Sequence, residues 1–258
     1  MNLKLLSLSF AGLLITGCGA KETTETPAIG MPALPDGAYL LSDVQVTENG
    51  ELSLLLRDQI KIYSNNRFMY AFMNAETGID VGAGIATWKN GVMVEVPTVN
   101  HNGPVKGYSF DVAIKETDDG FMQTIMGMTY DDGRSLDMVE TWDTASTRTG
   151  LFDGLWRLQK RSSAVISSAD FVETKMIGGG HFIWLQRWST DGETQKSFGF
   201  GTIDVNDDGS ATETGMTSSI EDYAGTEHRL NLTLIDDNHF SQTFMIDDVE
   251  VTQTYQRM

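Results

Sequence analysis

One pattern of residues occurs twice along this chain, and that duplication constrains the fold more than any other feature. Asp36-Gly37-Ala38-Tyr39-Leu40 recurs 117 positions later as Asp153-Gly154-Leu155-Trp156-Arg157. Further matches follow in the same order, at offsets of 113 to 119: Lys61 with Lys175, Phe68 with Phe182, Gly82 with Gly199, Glu95 with Glu213, Gln123 with Gln242, and Trp142 with Tyr255. We therefore expect two copies of a unit of about 110 to 120 residues, a normal domain size, over 36–149 and 150–258.

Each copy has the pattern of short β-strands joined by tight turns. The runs 108–114, 229–234 and 249–255 alternate apolar with polar residues, which is typical of a half-buried strand. Pairs such as Asn90-Gly91 and Asp208-Gly209 favour hairpin turns because they tolerate positive φ. About eight strands fall in each unit, with short connections. The sequence therefore predicts an all-β fold of two tandem antiparallel barrels.

The N-terminal segment has the pattern of an export signal. Lys4 precedes an apolar run over 5–15, which is shorter than the roughly 20 residues that span a bilayer. The run ends in Ile15-Thr16-Gly17-Cys18, which resembles the lipobox of bacterial lipoproteins. This resemblance implies that residues 1–17 form a signal peptide and that acylated Cys18 attaches the chain to a membrane. The alternative is a buried N-terminal strand with an incidental cysteine.

The residues around Cys18 add a location and a tether. Gly19, rather than Asp, follows the cysteine, which resembles the default sorting of Gram-negative lipoproteins to the outer membrane, so we expect a place in the bacterial cell envelope. Residues 18–35 are mostly polar, without an apolar period, and hold three of the five prolines of the chain. Such a segment is expected to act as a flexible tether.

Composition excludes several functions. The chain has 18 Lys and Arg against 36 Asp and Glu, so its formal charge is −18, and loss of Lys4 with the signal gives 17 − 36 = −19. Such a charge repels phosphate, and nucleic acid is not expected as a partner. The single cysteine excludes an intramolecular disulfide and a cysteine-based zinc site.

The first strand of the second unit resembles that of lipocalins. Gly154-Leu155-Trp156 matches their Gly-X-Trp signature, and the resemblance implies that Arg257 packs across Trp156 and closes the barrel through a cation–π contact. The first unit departs from the pattern, with Tyr39 in place of Trp and Asp143 where an Arg is expected. Much of the second unit is also similar to uncharacterised, secreted bacterial lipocalin-like domains. Such barrels host binders, inhibitors and a few enzymes, so the likeness implies a fold and no particular activity.

Three pairs of duplicated residues are candidate ligand contacts. Gln123 and Gln242 each lie between apolar residues of one strand face, so an inward-facing amide needs a partner from the protein, water or a ligand; an internal hydrogen bond is favoured. Glu95 and Glu213 are expected either to line a pocket or to pair with Lys61 and Lys175 at a barrel mouth. The aromatic pair, Tyr70 and Trp184, is expected to line a cavity or to belong to the core.

Other motifs favour structural interpretations. Asp204–Gly209 resembles the start of a calcium loop, but loop position twelve is Gly215 and not Glu, which favours a hairpin turn. Gly178-Gly179-Gly180 precedes an aromatic strand and not a helix, which favours a turn over a phosphate loop. None of the four histidines has metal-ligand spacing with another, and the alignment of His181 with Arg67 predicts an exposed or rim position. We predict no metal, no cofactor and no catalytic residue.

A methionine-rich strand face suggests a packing surface. Met122, Met126 and Met128 are predicted to share the face opposite Phe121. Because methionine fills irregular gaps, this face is expected to pack against the second unit or to bind a partner protein, whose identity the sequence does not give.

Three functions remain at this point. The first is non-catalytic binding of a small apolar or amphipathic molecule in a barrel that holds one ligand. The second is a structural or interaction module of an envelope complex, with solid barrels. The third is an isomerase or hydrolase that uses a Glu or His at the barrel mouth, for which the chain carries no recognisable catalytic motif.

Overall fold

The computed structural model describes residues 36–55, 57–75, 78–129, 135–162, 170–246 and 248–258. The predicted signal peptide, Cys18 and the tether lie outside these residues. All regular secondary structure in the described part is β-strand, and within it no helix is long and apolar enough to cross a membrane. All the described residues belong to one compact unit.

The first half of this unit is a closed antiparallel barrel. Its strands are β1 (Gly37–Glu48), β2 (Glu51–Leu54), β3 (Gln59–Ser64), β4 (Arg67–Phe72), β5 (Asp80–Lys89), β6 (Val92–Asn100), β7 (Gly103–Pro104), β8 (Phe110–Glu116), β9 (Gly120–Thr129) and β10 (Ser135–Ser146). Strand β1 pairs with β3 on one side and with β10 on the other, which closes a ring of eight strands. The short strands β2 and β7 pair with β1 and β6 outside this ring.

The second half repeats this arrangement. Its strands are β11 (Gly154–Arg161), β12 (Val172–Gly178), β13 (His181–Thr190), β14 (Glu193–Val205), β15 (Ser210–Ser218), β16 (Glu227–Asp236), β17 (His239–Ile246) and β18 (Val249–Arg257). Each strand pairs with the next, and β18 pairs with β11 to close the barrel. The prediction of two tandem antiparallel barrels is confirmed.

The duplicated Gly-X-Gly motif has a steric cause in each barrel. A Cβ atom on Gly82 would lie 2.7 Å from the ring of Tyr70, and one on Gly199 would lie 2.6 Å from the ring of Trp184. The second glycine of each motif, Gly84 or Gly201, sits at a register shift where a Cβ would meet a backbone carbonyl. An aromatic side chain on one strand therefore requires a glycine on the next.

The barrels share a core formed by their outward-facing residues. All six residues of β3 are buried, because one face of this strand lines its own barrel and the other packs against the second barrel. The shared core includes Ile60, Ile62, Met69, Met176, Ile183, Leu185, Phe198 and Phe200. The prediction that the methionine-rich face packs against the second unit is wrong: Met126 is 67% exposed, and Met128 packs on the core of the first barrel.

Two hairpin turns carry contacts between the barrels. The turn at Gly178-Gly179-Gly180 packs on the first barrel, so that a Cβ on Gly179 would lie 2.4 Å from the backbone nitrogen of Ala38. Arg148 lies across Gly180 and donates to the carbonyl of Ile203 at 2.6 Å. In the reciprocal contact, Arg67 donates to the carbonyl of Met258 at 3.1 Å. The glycine triplet therefore allows close packing between the barrels.

His181 follows this turn and is buried, so its predicted rim position is wrong. Its Nδ1 lies 2.9 Å from the carbonyl oxygen of Gly179. Burial lowers the pKa of His181, and the nearby Arg148 lowers it further, although the Gly179 carbonyl opposes the change. Arg67 and His181 align, but the other barrel packs differently around each of them. The alignment therefore did not predict the burial of His181.

Candidate functional site

A buried lysine lies at the same interior position of each barrel. Lys61 Nζ lies 2.6 Å from Glu95 Oε1 and donates to Gln123 Oε1 at 3.1 Å. Lys175 Nζ lies 2.6 Å from Glu213 and donates to Gln242 Oε1 at 2.8 Å. The structure thus brings the predicted lysine, glutamate and glutamine together in both barrels, and all six side chains are buried inside rather than exposed at a rim.

Aromatic rings enclose the lysine of the first barrel. Lys61 Nζ lies 5.1, 5.5 and 5.9 Å from the ring centroids of Tyr63, Phe68 and Trp142. Tyr63 also donates its hydroxyl to Glu95 at 2.5 Å. Burial, together with Glu95, raises the pKa of Tyr63 well above its usual value, so the hydroxyl stays a donor. The ammonium group of Lys61 is therefore surrounded by side chains of its own barrel.

A second carboxylate extends the network of the first barrel. Gln123 donates to Glu140, and Arg57 Nη2 lies 3.4 Å from Glu140 Oε1. Burial raises the pKa of Glu140, while Lys61 and Arg57 both act to lower it. Tyr70, the predicted aromatic contact, donates its hydroxyl to Asp80 at 3.2 Å rather than to this network.

The second barrel also has a second carboxylate, but on another strand. Glu173, on β12, accepts hydrogen bonds from Tyr255 and from Gln186 at 2.8 Å, and a weaker one from Gln253 at 3.3 Å. Gln253 also accepts from Gln242 at 2.7 Å, which links Glu173 to the Lys175 network. Burial, followed by the charge of Glu173, raises the pKa of Tyr255 well above its usual value and keeps the hydroxyl a donor.

A partly open cavity of about 120 Å³ lies inside the second barrel, next to this network. Its lining residues are Glu173, Lys175, Trp184, Gln186, Glu213, Tyr223, His228, Leu230, Gln242, Phe244 and Gln253. Three of the six predicted ligand contacts, Trp184, Glu213 and Gln242, are therefore among the residues that line the cavity. The other three hold the equivalent positions in the first barrel.

An aromatic wall forms one side of the cavity. The rings of Trp184 and Tyr223 meet edge to face at 5.8 Å, and the ring of Tyr223 stacks on His228 at 5.4 Å. The Trp184 indole donates to the Tyr223 hydroxyl at 3.2 Å. Tyr223 comes from the connection between β15 and β16 and packs on Gly215, where a Cβ would lie 2.6 Å from its ring. This wall offers a ligand aromatic faces and edges.

Aromatic residues also form a cluster around the N-terminal end of β11. Phe240 packs edge to face on Trp156 at 4.7 Å and stacks on Tyr255 at 4.8 Å. The Arg257 guanidinium lies 4.0 Å from the centre of the Trp156 ring, in the arrangement that the lipocalin resemblance implied. A Cβ on Gly154 would lie 2.2 Å from Arg257 Nη1, which explains the glycine of the Gly-X-Trp motif.

Sequence reasoning missed several cavity residues. Glu173 could have been found, because it lies two positions before Lys175 on one strand and so shares its face. Tyr223 belongs to a connection whose path no local pattern predicts. His228 was considered with the other histidines as a metal ligand or a catalytic group, and not as a cavity wall. No cluster of three or more metal-binding side chains occurs among the described residues.

Comparison with known proteins gives no family assignment. No protein-family profile matches the chain, and no curated protein matches it. Among solved structures, one similar chain is a protein of unknown function from the DUF3598 family of Nostoc punctiforme PCC 73102. It is 11% identical, with a TM-score of 0.26, and the match covers 86% of this chain and 96% of that one.

Proposed function

We propose that this protein is a non-catalytic binder, which holds a small amphipathic molecule in the cavity of the second barrel and is attached to the bacterial cell envelope through Cys18. The observation that carries the proposal is the cavity itself, because a barrel that served only as scaffold would gain stability by filling it. The cavity lies beside a hydrogen-bonded polar network on one side and an aromatic wall on the other.

The size of the cavity limits the ligand. Its volume of about 120 Å³ is well below the roughly 300 to 1,000 Å³ of pockets that hold drug-sized ligands. An apolar cavity of about 150 Å³ holds one benzene molecule. The cavity therefore suits a molecule of about five or six non-hydrogen atoms, or the end group of a longer molecule that leaves through the opening.

The lining favours an amphipathic ligand over a purely apolar one. Leu230, Phe244 and Trp184 offer apolar contact area, whereas Glu173, Glu213 and three glutamines offer hydrogen-bonding atoms. A ligand with one polar end can satisfy both sides, because its polar end replaces the water that the carboxylates would otherwise bind.

The enzyme alternative receives less support from the geometry. Glu213, the mouth carboxylate that was considered as an acid or base, is already held by Lys175 at 2.6 Å. Glu95 is held in the same way by Lys61 and Tyr63. A general base needs a free path to the proton that it abstracts, and these pairs occupy the carboxylates with structural partners.

Native mass spectrometry of residues 32–258 tests the binding proposal. We expect the wild-type protein to retain a small molecule that chromatography can identify, and Leu230→Trp to lose it because the larger side chain fills the cavity. Leu234→Trp is the matched control, since it makes the same change on the same strand at a more exposed position and should keep the ligand. Masses without ligand for all three proteins, over several growth conditions, would count against the proposal.

The attachment proposal has its own test. Cells that express the full chain are fed an alkyne-labelled fatty acid, and we expect the label on the wild-type protein but not on Cys18→Ser. The variant should also leave the membrane fraction, because acyl chains contribute roughly 0.8 kcal/mol of membrane binding per buried methylene. Labelling of the serine variant, or an unlabelled wild-type protein, would contradict attachment through this residue.

A further inference from the structure

We propose that the ligand of the second-barrel cavity is a small organic cation, an amine or guanidinium group whose positive charge binds the carboxylate of Glu173. The inference rests on the proposed function, because it names the chemical class of ligand for the same cavity. Since the two barrels are copies, each interior position of one can be compared with its equivalent in the other. That comparison shows which charge the second barrel lacks.

Strand register makes the comparison exact at the positions that matter. Lys61 pairs across the sheet with Tyr70, and Lys175 pairs with Trp184 in the same way. The same offset of 114 residues aligns Gln59 with Glu173 and Arg57 with Phe171. On the last strand, Glu140 pairs with Gln123, and its equivalent Gln253 pairs with Gln242. The second carboxylate is therefore on the last strand of the first barrel and on the second strand of the second barrel.

In the first barrel, the chain supplies a cation for this carboxylate. Arg57 lies 3.4 Å from Glu140, donates to Gln59 at 2.6 Å, and stacks on Phe72 with its guanidinium carbon 4.0 Å from the ring centre. The two buried carboxylates, Glu95 and Glu140, thus face two cations, Lys61 and Arg57.

The second barrel has no arginine at the equivalent position. Phe171 stands at the position of Arg57, and the three donors to Glu173 are the neutral groups of Tyr255, Gln186 and Gln253. Among the described residues, no cationic group lies within 4 Å of the Glu173 carboxylate. Lys175 is already paired with Glu213, so the cavity faces two carboxylates and one ammonium group.

Glu173 can accept one more donor. An ionised carboxylate has about four acceptor sites and no donor, and three of these sites have partners here. The side chain is 3% exposed, and a buried carboxylate without a counter-ion is costly. A ligand that brings a positive charge into the cavity would recover part of this cost, and a neutral ligand would not.

The aromatic wall favours the same class of ligand. Trp184 and Tyr223 present π-systems to the cavity, and cations bind such faces in addition to carboxylates. The first barrel shows this arrangement occupied by the chain, since Arg57 combines a carboxylate partner with a ring at 4.0 Å. The ligand would therefore supply in the second barrel the positive charge that Arg57 supplies in the first.

One other cation lies near the Glu173 network. Arg161, at the end of β11, lies over Phe171 with its guanidinium carbon 5.1 Å from the ring centre. Its Nε and Nη1 atoms are buried without a hydrogen-bond partner, and it is absent from the cavity lining. Burial raises the pKa of Tyr255, which donates to Glu173, and the charge of Arg161 acts to lower it. The experiment therefore includes a variant at Arg161.

Calorimetric titration of residues 32–258 with three molecules of one chain length tests the inference. The probes are n-butylammonium, butan-1-ol and butyrate at pH 7 and constant ionic strength. We expect n-butylammonium to bind at least tenfold more tightly than butan-1-ol, and butyrate not to bind, because only the first complements the carboxylate. Butan-1-ol binding as tightly as the cation would overturn the cation inference and leave the proposed function standing. No heat from any of the three would contradict both.

Three variants locate the effect. Glu173→Gln should remove the preference for the cation, whereas Glu140→Gln, the equivalent change in the first barrel, should keep it. Arg161→Gln should leave cation affinity unchanged; a tenfold increase would identify Arg161 as the resident counter-ion and overturn the inference. If Glu173→Gln fails to fold, the wild-type comparison of cation with alcohol still decides the question.

Discussion

At the scale of single residues, the two barrels show how the interior surrounds a buried lysine with acceptors. Each lysine has a carboxylate at 2.6 Å and a glutamine oxygen as a second acceptor. A buried ion pair stabilises a protein only when further hydrogen bonds satisfy its remaining donors and acceptors, and the duplicated glutamines supply these bonds. This explains why Gln123 and Gln242 recur between apolar neighbours.

Asp153, just before the Gly-X-Trp motif, has a raised pKa that makes the stability of the protein depend on pH. Burial, with a smaller contribution from Asp36, raises the pKa of Asp153 to about 6, although the Gly150 amide and two arginines oppose this. The native state thus binds this proton more tightly than the unfolded chain, in which the pKa is about 4. As pH rises from 4 through 6, this group therefore reduces the stability of the native state.

We expect Asp153→Asn to raise the free energy of unfolding at pH 7.5 and to leave it nearly unchanged at pH 4. The asparagine removes the buried charge and keeps an oxygen to accept from the Gly150 amide, which donates at 2.8 Å. Urea denaturation at the two pH values measures the difference. Asp236→Asn is the control, and we expect it not to raise the free energy of unfolding at pH 7.5, because hydrogen bonds lower the pKa of this exposed carboxyl. An equal effect of Asp153→Asn at both pH values would show that the charge is not responsible.

At the scale of elements, equivalent hairpins serve the contact between the barrels with different sequences. Asn65 and Asn66 have φ values of 52° and 60°, and Gly179 and Gly180 have values of 61° and 65°. The backbone conformation is the same, so positive φ alone does not require glycine at the second turn. The requirement comes from the backbone of the first barrel, which lies against Gly179.

Alanine substitutions separate these two effects. Gly192→Ala places a side chain at a φ of 83° with nothing within 4 Å, and we expect a loss of about 1 kcal/mol from strain alone. Gly179→Ala adds a clash with Ala38 and Ser146, so we expect it to lose a further 1 to 3 kcal/mol or so. Midpoints of chemical denaturation measure both. Equal losses of stability for the two variants would mean that packing of the first barrel against Gly179 does not restrict this turn.

The sequence predicts those elements whose signals are local. Alternating strands and Asn-Gly pairs indicate antiparallel hairpins, and Asn90 and Gly91 do adopt the positive φ values of 53° and 81° that such turns use. Burial on the outer faces was not predictable from the sequence. Whether an outward-facing residue such as His181 or Met126 is buried depends on where the other barrel packs. The cavity could not be predicted either, because Tyr223, which lines it, belongs to a connection without a strand pattern.

At the scale of the whole molecule, duplication produced two barrels with one scaffold and different interiors. In the first, Lys61 is enclosed by three rings and Arg57 pairs with the second carboxylate. In the second, the second carboxylate, Glu173, lies on another strand, borders a cavity and has neutral hydrogen-bond donors. The shared core of outward-facing residues joins the two barrels within one compact unit. We propose that ligand binding belongs to the second barrel, whose interior contains the cavity.

The indole signals of the five tryptophans test this division most directly. Trp184 lines the cavity, whereas Trp142 lies in the core of the first barrel and Trp156 in the aromatic cluster of the second. In ¹⁵N-labelled protein titrated with n-butylammonium or butan-1-ol, we predict that the Trp184 indole resonance shifts in a saturable way while the Trp142 resonance stays in place. Trp184→Phe assigns the signal. A saturable shift of Trp142 without one of Trp184, or no saturable shift with either molecule, would contradict the account.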